Sequence, residues 1–251
     1  AEDLLKMAVH FFLTQEDGNK TIFIPKFSWW YYKSIADEVG GKTLQYPVNE
    51  VEDTFAYDFE GIKAMIEKET PKILLVASPN NPTGNGLTPE ELEKLVQMIP
   101  STSIMLVDEA YASYVSSDIS YVREMIAKYP NVVFCRTLSK FYGLPGLRWG
   151  FGFIGRNEQM DRFSKYANKY LGYDRMSEEI AIAAVKSDAH YRDIANVMEE
   201  ALQKEFADQS YKVKFMNEPD INTHMRITLG RREQNRLVCD VILKIAKEYQ
   251  K

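Results

Sequence analysis

The sequence predicts an α/β protein: a mostly parallel sheet sandwiched by helices, followed by a smaller α+β domain. Three observations lead there. Short β-type runs alternate with helical stretches over the first two thirds of the chain. The runs ILLVA and IMLV are continuously apolar, as strands buried on both faces require. After about residue 160 glycine and proline thin out and helical patterns dominate.

Taken in order, strands are expected at Thr21–Ile24, Thr43–Tyr46, Ile73–Ala77, Ile104–Val107, Val132–Arg136 and Trp149–Ile154. Between them, amphipathic patterns predict helices over Phe59–Glu69, Pro89–Met98 and Tyr121–Lys128. The Pro89 helix carries its own start signal: Thr88 as cap, Pro89 in the first turn and Glu91 to complete a capping box. The large domain is assigned residues 1–165 and the smaller one residues 166–251. In the latter, helices are expected at Glu178–Lys186 and Tyr191–Ala207. A strand pair follows at Lys212–Met216 and His224–Thr228, and a closing amphipathic helix covers Arg232–Tyr249. No internal repeat or low-complexity segment interrupts the pattern.

Composition narrows the function. The chain has 251 residues, 45% of them hydrophobic, which suffices to bury a substantial core. A net charge of −5 argues against nucleic acid and anionic membranes, both of which select a basic face. No apolar run reaches the ~18 residues a membrane span needs. The start AEDLLKMAVHFF has neither the basic region nor the cleavage site of a signal peptide. Two cysteines, Cys135 and Cys239, make no disulfide framework, and His10, His190 and His224 lie far apart, so no metal is expected. A cytoplasmic, soluble protein is the expectation.

In an open parallel sheet, ligands bind beyond the carboxyl ends of the strands. The polar residues of this sequence gather there. ILLVA runs into Ser78-Pro79-Asn80-Asn81-Pro82-Thr83-Gly84, and IMLV into Asp108-Glu109-Ala110-Tyr111. VVFCR runs into Thr137-Leu138-Ser139-Lys140, with Gly143, Gly146 and Arg148 close behind. Each has an ordinary explanation by itself: NNPTG as a turn, Asp108 as a helix cap, Tyr111 as a half-buried aromatic, Lys140 and Arg148 as solvated surface charges. Their joint occurrence at three successive strand ends is harder to explain that way.

With those residues in view, NNPTG, VDEAY, RTLSKFYGLPGLRWG and MRITLGRREQN together resemble the fold-type-I pyridoxal-phosphate enzymes. The similarity is to class I/II aminotransferases, nearest the histidinol-phosphate aminotransferase branch, and it covers nearly the whole chain. The resemblance implies pyridoxal 5′-phosphate as cofactor, small amino-acid and 2-oxo-acid substrates, and a homodimer. Lys140 resembles the lysine that holds the cofactor as a Schiff base and then shuttles a proton as general acid–base. Asp108 resembles the carboxylate that keeps the pyridine nitrogen protonated, making the ring a better electron sink. A charge pair near 4 Å gains about 4 kcal/mol at an effective dielectric near 20, before desolvation is subtracted.

Asn81 and Tyr111 resemble the two residues that hydrogen-bond the ring's phenolic oxygen, with Asn81 also beside the substrate. Arg148, Thr137 and Ser139 resemble phosphate ligands, with Gly143 and Gly146 allowing close backbone approach. Phe27 matches the aromatic that stacks on the ring, a role for which Trp29 and Trp30 compete with it. Core packing explains Phe27 nearly as well. Arg226 resembles the arginine that grips the substrate α-carboxylate. The remaining aromatics of the run Phe27, Trp29, Trp30, Tyr31 and Tyr32 are placed at a subunit interface or in the substrate pocket.

The family is usually about a hundred residues longer. Set against that resemblance, an N-terminal arm and a phosphate-binding glycine/serine turn are missing from this sequence and the small domain is shortened near residues 205–214; either the protein is natively shortened or the sequence omits segments, and the second is favoured. The function so implied is transfer of an amino group between an amino acid, such as histidinol phosphate or an aromatic one, and a 2-oxo acid by a ping-pong route. A decarboxylase or lyase of the same fold, acting for example on a phosphorylated amino acid, is the alternative. A cofactor-sensing regulator would carry a helix-turn-helix segment, and none is visible.

Overall fold

The central sheet is built from the apolar runs, and the computed structural model gives their order. It describes residues 1–15, 17–52, 54–169, 174–194, 213–215 and 225–227. Two compact units divide the chain, Ala1–Asp188 and Ala189–Lys251. The first runs α1 (Glu2–Leu13), β1 (Thr21–Pro25), α2 (Tyr31–Asp37), β2 (Lys42–Tyr46), β3 (Val48–Val51), β4 (Thr54–Tyr57), α3 (Phe59–Lys68) and β5 (Ile73–Ala77). It continues through α4 (Pro89–Met98), β6 (Ile104–Asp108), α5 (Ala112–Val115), α6 (Ser120–Lys128), β7 (Val132–Thr137), β8 (Gly150–Ile154), α7 (Glu158–Asn168) and α8 (Arg175–Lys186).

The six-stranded sheet has the order β2-β1-β5-β6-β7-β8, parallel throughout except for antiparallel β8 at the edge. From β1 the chain steps outward to β2, then returns to β5 on the other side of β1. That reversal opens a crevice at the carboxyl ends of β1 and β5, the place where such sheets bind ligands. Strands β1, β5, β6 and β7 are buried at every position, which is why their sequences do not alternate.

One face of the sheet is covered by α1 and α7. Leu5, Val9 and Phe12 of α1 join Met160, Phe163 and Ala167 of α7 and the strand residues Ile22, Leu75 and Leu106 in one core. The rings of Phe12 and Phe163 lie 5.0 Å apart. Gly152 of β8 lets α1 come this close, since a Cβ there would stand 2.7 Å from Leu4 Cδ2 and 2.9 Å from the Phe134 carbonyl. The Thr88 capping box forms as expected, with both reciprocal hydrogen bonds present.

The sequence reading missed several elements. β3 and β4 form a separate antiparallel hairpin, and α2, α5 and α7 were not assigned. The boundary between units falls after Asp188 rather than after residue 165. The reason is physical: α7 buries Met160, Phe163 and Ala167 in the core of the first unit, so the helix-rich texture begins before that unit ends.

In the second unit, β9 (Val213–Phe215) and β10 (Met225–Ile227) pair antiparallel, with Arg226 opposite Lys214. The expected closing helix over Arg232–Tyr249, most of the Tyr191–Ala207 helix and most of the 205–214 interval lie outside the described residues. Among the described residues no helix is long and apolar enough to cross a membrane, and no group of His, Cys, Asp or Glu side chains could hold a metal ion.

Candidate active site

Three strands end at one level. Ala77 of β5 is in register with Asp108 of β6, and Asp108 with Cys135 of β7, so the loops that follow leave from one rim. The sheet hydrogen bonds that fix this register thereby bring together residues far apart in sequence.

Asp108 is 5% exposed. The buried Tyr32 phenol donates to its Oδ2 at 2.7 Å, and the Ala110 amide donates to Oδ1 at 3.0 Å. Burial pushes the carboxyl above the usual carboxylate range. The two hydrogen bonds and the positive charge of Lys140 pull the other way. Lys140 is exposed in the loop after β7, its Nζ over the Tyr111 ring at 5.5 Å from the centroid. Tyr111, at the N-terminal end of α5, is half-buried and stacks on Tyr114 at 6.5 Å.

The loop after β7 is held by its own hydroxyls. Thr137 Oγ1 lies 2.9 Å from Ser139 Oγ and 3.2 Å from the Trp149 carbonyl, and it accepts from the Ser139 amide at 3.1 Å. Gly143 turns the chain back with φ of 61°, a left-handed conformation that glycine adopts at no steric cost. A Cβ at Gly143 or Gly146 would meet no protein atom within 4 Å.

Arg148 also has a left-handed backbone, φ 57°, immediately after a 3-10 turn over Pro145–Leu147. Its guanidinium is 3.6 Å from the Glu2 carboxylate, with side chains 63% and 47% exposed. A solvent-facing pair of that length contributes little, so the guanidinium can exchange to another anion at small cost.

Asn81 is half-buried in the Ser78–Gly84 loop, whose Ser78–Pro79 and Asn81–Pro82 peptide bonds are cis. Asn80 anchors that loop. Its Nδ2 reaches the Phe27 carbonyl and Thr83 Oγ1, both at 2.6 Å, and its carbonyl accepts from the Gly84 amide at 2.9 Å. Phe27 thus ties the loop after β1 to the loop after β5. Its ring is buried, edge-on to Phe55 at 6.1 Å with Lys26 Nζ 5.1 Å from its centroid. The structure therefore places Asp108 and Thr137 at the carboxyl ends of β6 and β7, and Tyr111, Ser139, Lys140, Arg148, Asn81 and Phe27 in the segments that follow the strands. Arg226 belongs to the second unit and is described there alone.

Two features escaped the sequence reading. Tyr32, expected with the neighbouring aromatics at a subunit interface or in the substrate pocket, is 2% exposed and bonded to Asp108. Glu109, adjacent to Asp108 but on the opposite side of β6, pairs with Arg136 at 2.7 Å, the two side chains being 1% and 5% exposed. Tyr121 donates to Glu109 and accepts from Arg136 Nη2 at 3.0 Å. This buried cluster locks β6 to β7 behind the rim. Glu109→Ala leaves the Arg136 charge without its partner and is expected to cost about 3–5 kcal/mol of unfolding free energy, read by denaturant titration. A loss under ~1 kcal/mol would show that water reaches Arg136.

A mostly parallel sheet with helices packed on it and polar residues at its carboxyl strand ends defines the class, an open α/β fold. Comparison with known proteins gives the family. Residues 7–208 match the family model described as aminotransferase class I and II, and the chain belongs to that family.

It is 34% identical over 152 residues to histidinol-phosphate aminotransferase 1 of Mannheimia succiniciproducens, covering 60% of this chain and 39% of that one. With the histidinol-phosphate aminotransferase of Ruminiclostridium cellulolyticum it shares 26% identity over 277 residues, 98% of this chain and 75% of that one. Among solved structures, histidinol-phosphate aminotransferase from Sinorhizobium meliloti, in complex with pyridoxal-5′-phosphate, superposes with a TM-score of 0.68 at 25% identity. That match covers 84% of this chain and 55% of the other. The chain spans about half the length of the curated relatives it matches.

Proposed function

We propose that the protein acts as a pyridoxal-phosphate-dependent aminotransferase, moving an amino group between an amino acid and a 2-oxo acid in a ping-pong cycle. Histidinol phosphate or an aromatic amino acid is the proposed donor, because the relatives so named are histidinol-phosphate aminotransferases. The observation that carries the reading is Lys140 and buried Asp108 at the ends of adjacent strands, within electrostatic reach of each other.

The donor set suits the cofactor. A buried carboxylate matches a cationic ring nitrogen, a lysine amine matches a carbonyl carbon, and hydroxyls with an exchangeable guanidinium match a phosphate. When bound, pyridoxal phosphate supplies an electron sink for the bond broken at the substrate Cα. The chain's own residues do the rest. Lys140 would hold the cofactor and would move the proton at the substrate Cα. Asp108 holds the ring nitrogen's proton. Asn81 and Tyr111 donate to the ring's phenolic oxygen, and Asn81 also meets the substrate.

Thr137, Ser139 and Arg148 take the phosphate, and Phe27 is the ring's apolar neighbour. Arg226 binds the substrate carboxylate. The family's homodimer and a cytoplasmic setting are part of the same proposal.

The test separates transfer from elimination. With cofactor and an amino donor, the protein is expected to release one carbonyl product per site, a 2-oxo acid from an amino acid or a ketone from histidinol phosphate, and then stop until a 2-oxo acid acceptor is added. Continuous release of carbon dioxide or ammonia without an acceptor would overturn the reading in favour of a decarboxylase or lyase.

A further inference from the structure

We propose that Tyr32 is a positioning residue for Asp108: its phenol fixes the carboxylate in one orientation and leaves the remaining lone pairs for a cationic ring nitrogen. The inference rests on the cofactor reading above and adds to it a residue from a different element, α2. Three observations carry it.

First, Tyr32 is among the largest fully buried side chains, in the core with Ile35 and Ala36 and edge-on to Trp29 at 5.8 Å. A ring so packed cannot swing, so its hydroxyl is delivered to one point. Second, that point is Asp108 Oδ2 at 2.7 Å, while the Ala110 amide takes Oδ1 at 3.0 Å. A carboxylate has about four lone-pair sites. One donor on each oxygen fixes its orientation and leaves acceptor capacity free. Third, Tyr32 remains a donor at every working pH, because burial and then the Asp108 charge raise its phenol well above the ordinary tyrosine range.

The other groups facing Asp108 do not supply this. Lys140 is a cation that favours its charge. Burial pushes the Cys135 thiol and Tyr57 phenol up, so both face it as neutral groups. Glu109 is bonded to Arg136 on the far side of the strand.

The experiment is an infrared titration of the Asp108 carboxyl in the cofactor-free full chain, the band assigned by its loss in Asp108→Asn. Removing a hydrogen bond to a charged group in Tyr32→Phe is expected to raise the protonation constant roughly ten- to hundred-fold, a shift of about one to two pH units upward. A ring-fluorinated tyrosine at position 32 keeps the shape, strengthens the donor and should move the midpoint downward, which covers a Phe variant that fails to fold. In the loaded protein, the nitrogen resonance of a 15N-labelled cofactor ring should lose protonated character in Tyr32→Phe and respond to nothing further in the Asp108→Asn background. Equal Asp108 midpoints in wild type, Tyr32→Phe and the fluorinated protein would overturn the role of Tyr32. If the wild type binds no cofactor, the functional reading fails while the titration still decides Tyr32.

Discussion

Lys140→Ala is expected to lower the amino-transfer rate by at least ~10⁴-fold while leaving the fold intact. One amine does two jobs in the proposed cycle, anchoring the cofactor and moving the proton at the substrate Cα. General acid–base catalysis alone is worth about 10²–10⁴-fold, and loss of the covalent step adds to it without being strictly additive. The fold should not notice. Lys140 is exposed, with its Nζ 5.5 Å from the centroid of the Tyr111 ring. Unfolding free energy is therefore expected to stay within about 0.5 kcal/mol of wild type. Retained amino transfer in the variant would remove Lys140 from the chemistry.

Asp108→Asn is expected to reduce the rate roughly 10²–10³-fold, the loss typical of one preorganised electrostatic contact to developing charge. Asn keeps the shape, and with its Oδ1 on the Ala110 amide its Nδ2 faces the Tyr32 hydroxyl, which must turn from donor to acceptor. The same variant should behave oppositely in stability. Burial raises the Asp108 carboxyl above its unfolded value, so the folded chain holds that proton more tightly. The stabilisation this gives is fully present below the ordinary aspartate range and is lost as pH rises through the raised value. Above that raised value the wild type carries a buried charge that Asn does not. Without cofactor, Asp108→Asn should melt above wild type near pH 7, and the gap should narrow toward acid. A variant that melts lower at neutral pH would mean the surrounding donors outweigh burial.

The contrast with Glu109 sharpens this. Two adjacent carboxylates face opposite sides of β6. One is matched to an internal guanidinium, and removing it should cost stability. The other has only neutral donors bonded to it, and removing its charge should cost activity.

Sequence made some of this legible and hid the rest for identifiable reasons. β5 and α4 have the expected limits because an unbroken apolar run and a capping box are local signals. The other sheet strands are found within a residue or so of their expected ends. The β3–β4 hairpin was missed because Glu50 and Glu52 dilute its alternation. α2 was missed because Trp, Tyr and Ile are indifferent helix formers. For α7 the signal was present: Met160, Phe163 and Ala167 stand at helical spacing on one buried face.

The strand-end residues could be read because each follows an apolar run directly. Tyr32 could not, since its partner is 76 residues away and only the closed sheet joins them. The Glu109–Arg136 pair, 27 residues apart, was hidden in the same way, with Arg136 read as an ordinary strand residue.

The most direct measurement is borohydride reduction of the protein mixed with pyridoxal phosphate, followed by mass mapping of its peptides. The account predicts a stable cofactor adduct on the peptide carrying Lys140, absent from Lys140→Ala. An adduct on a different lysine, or none in the wild type, would contradict it.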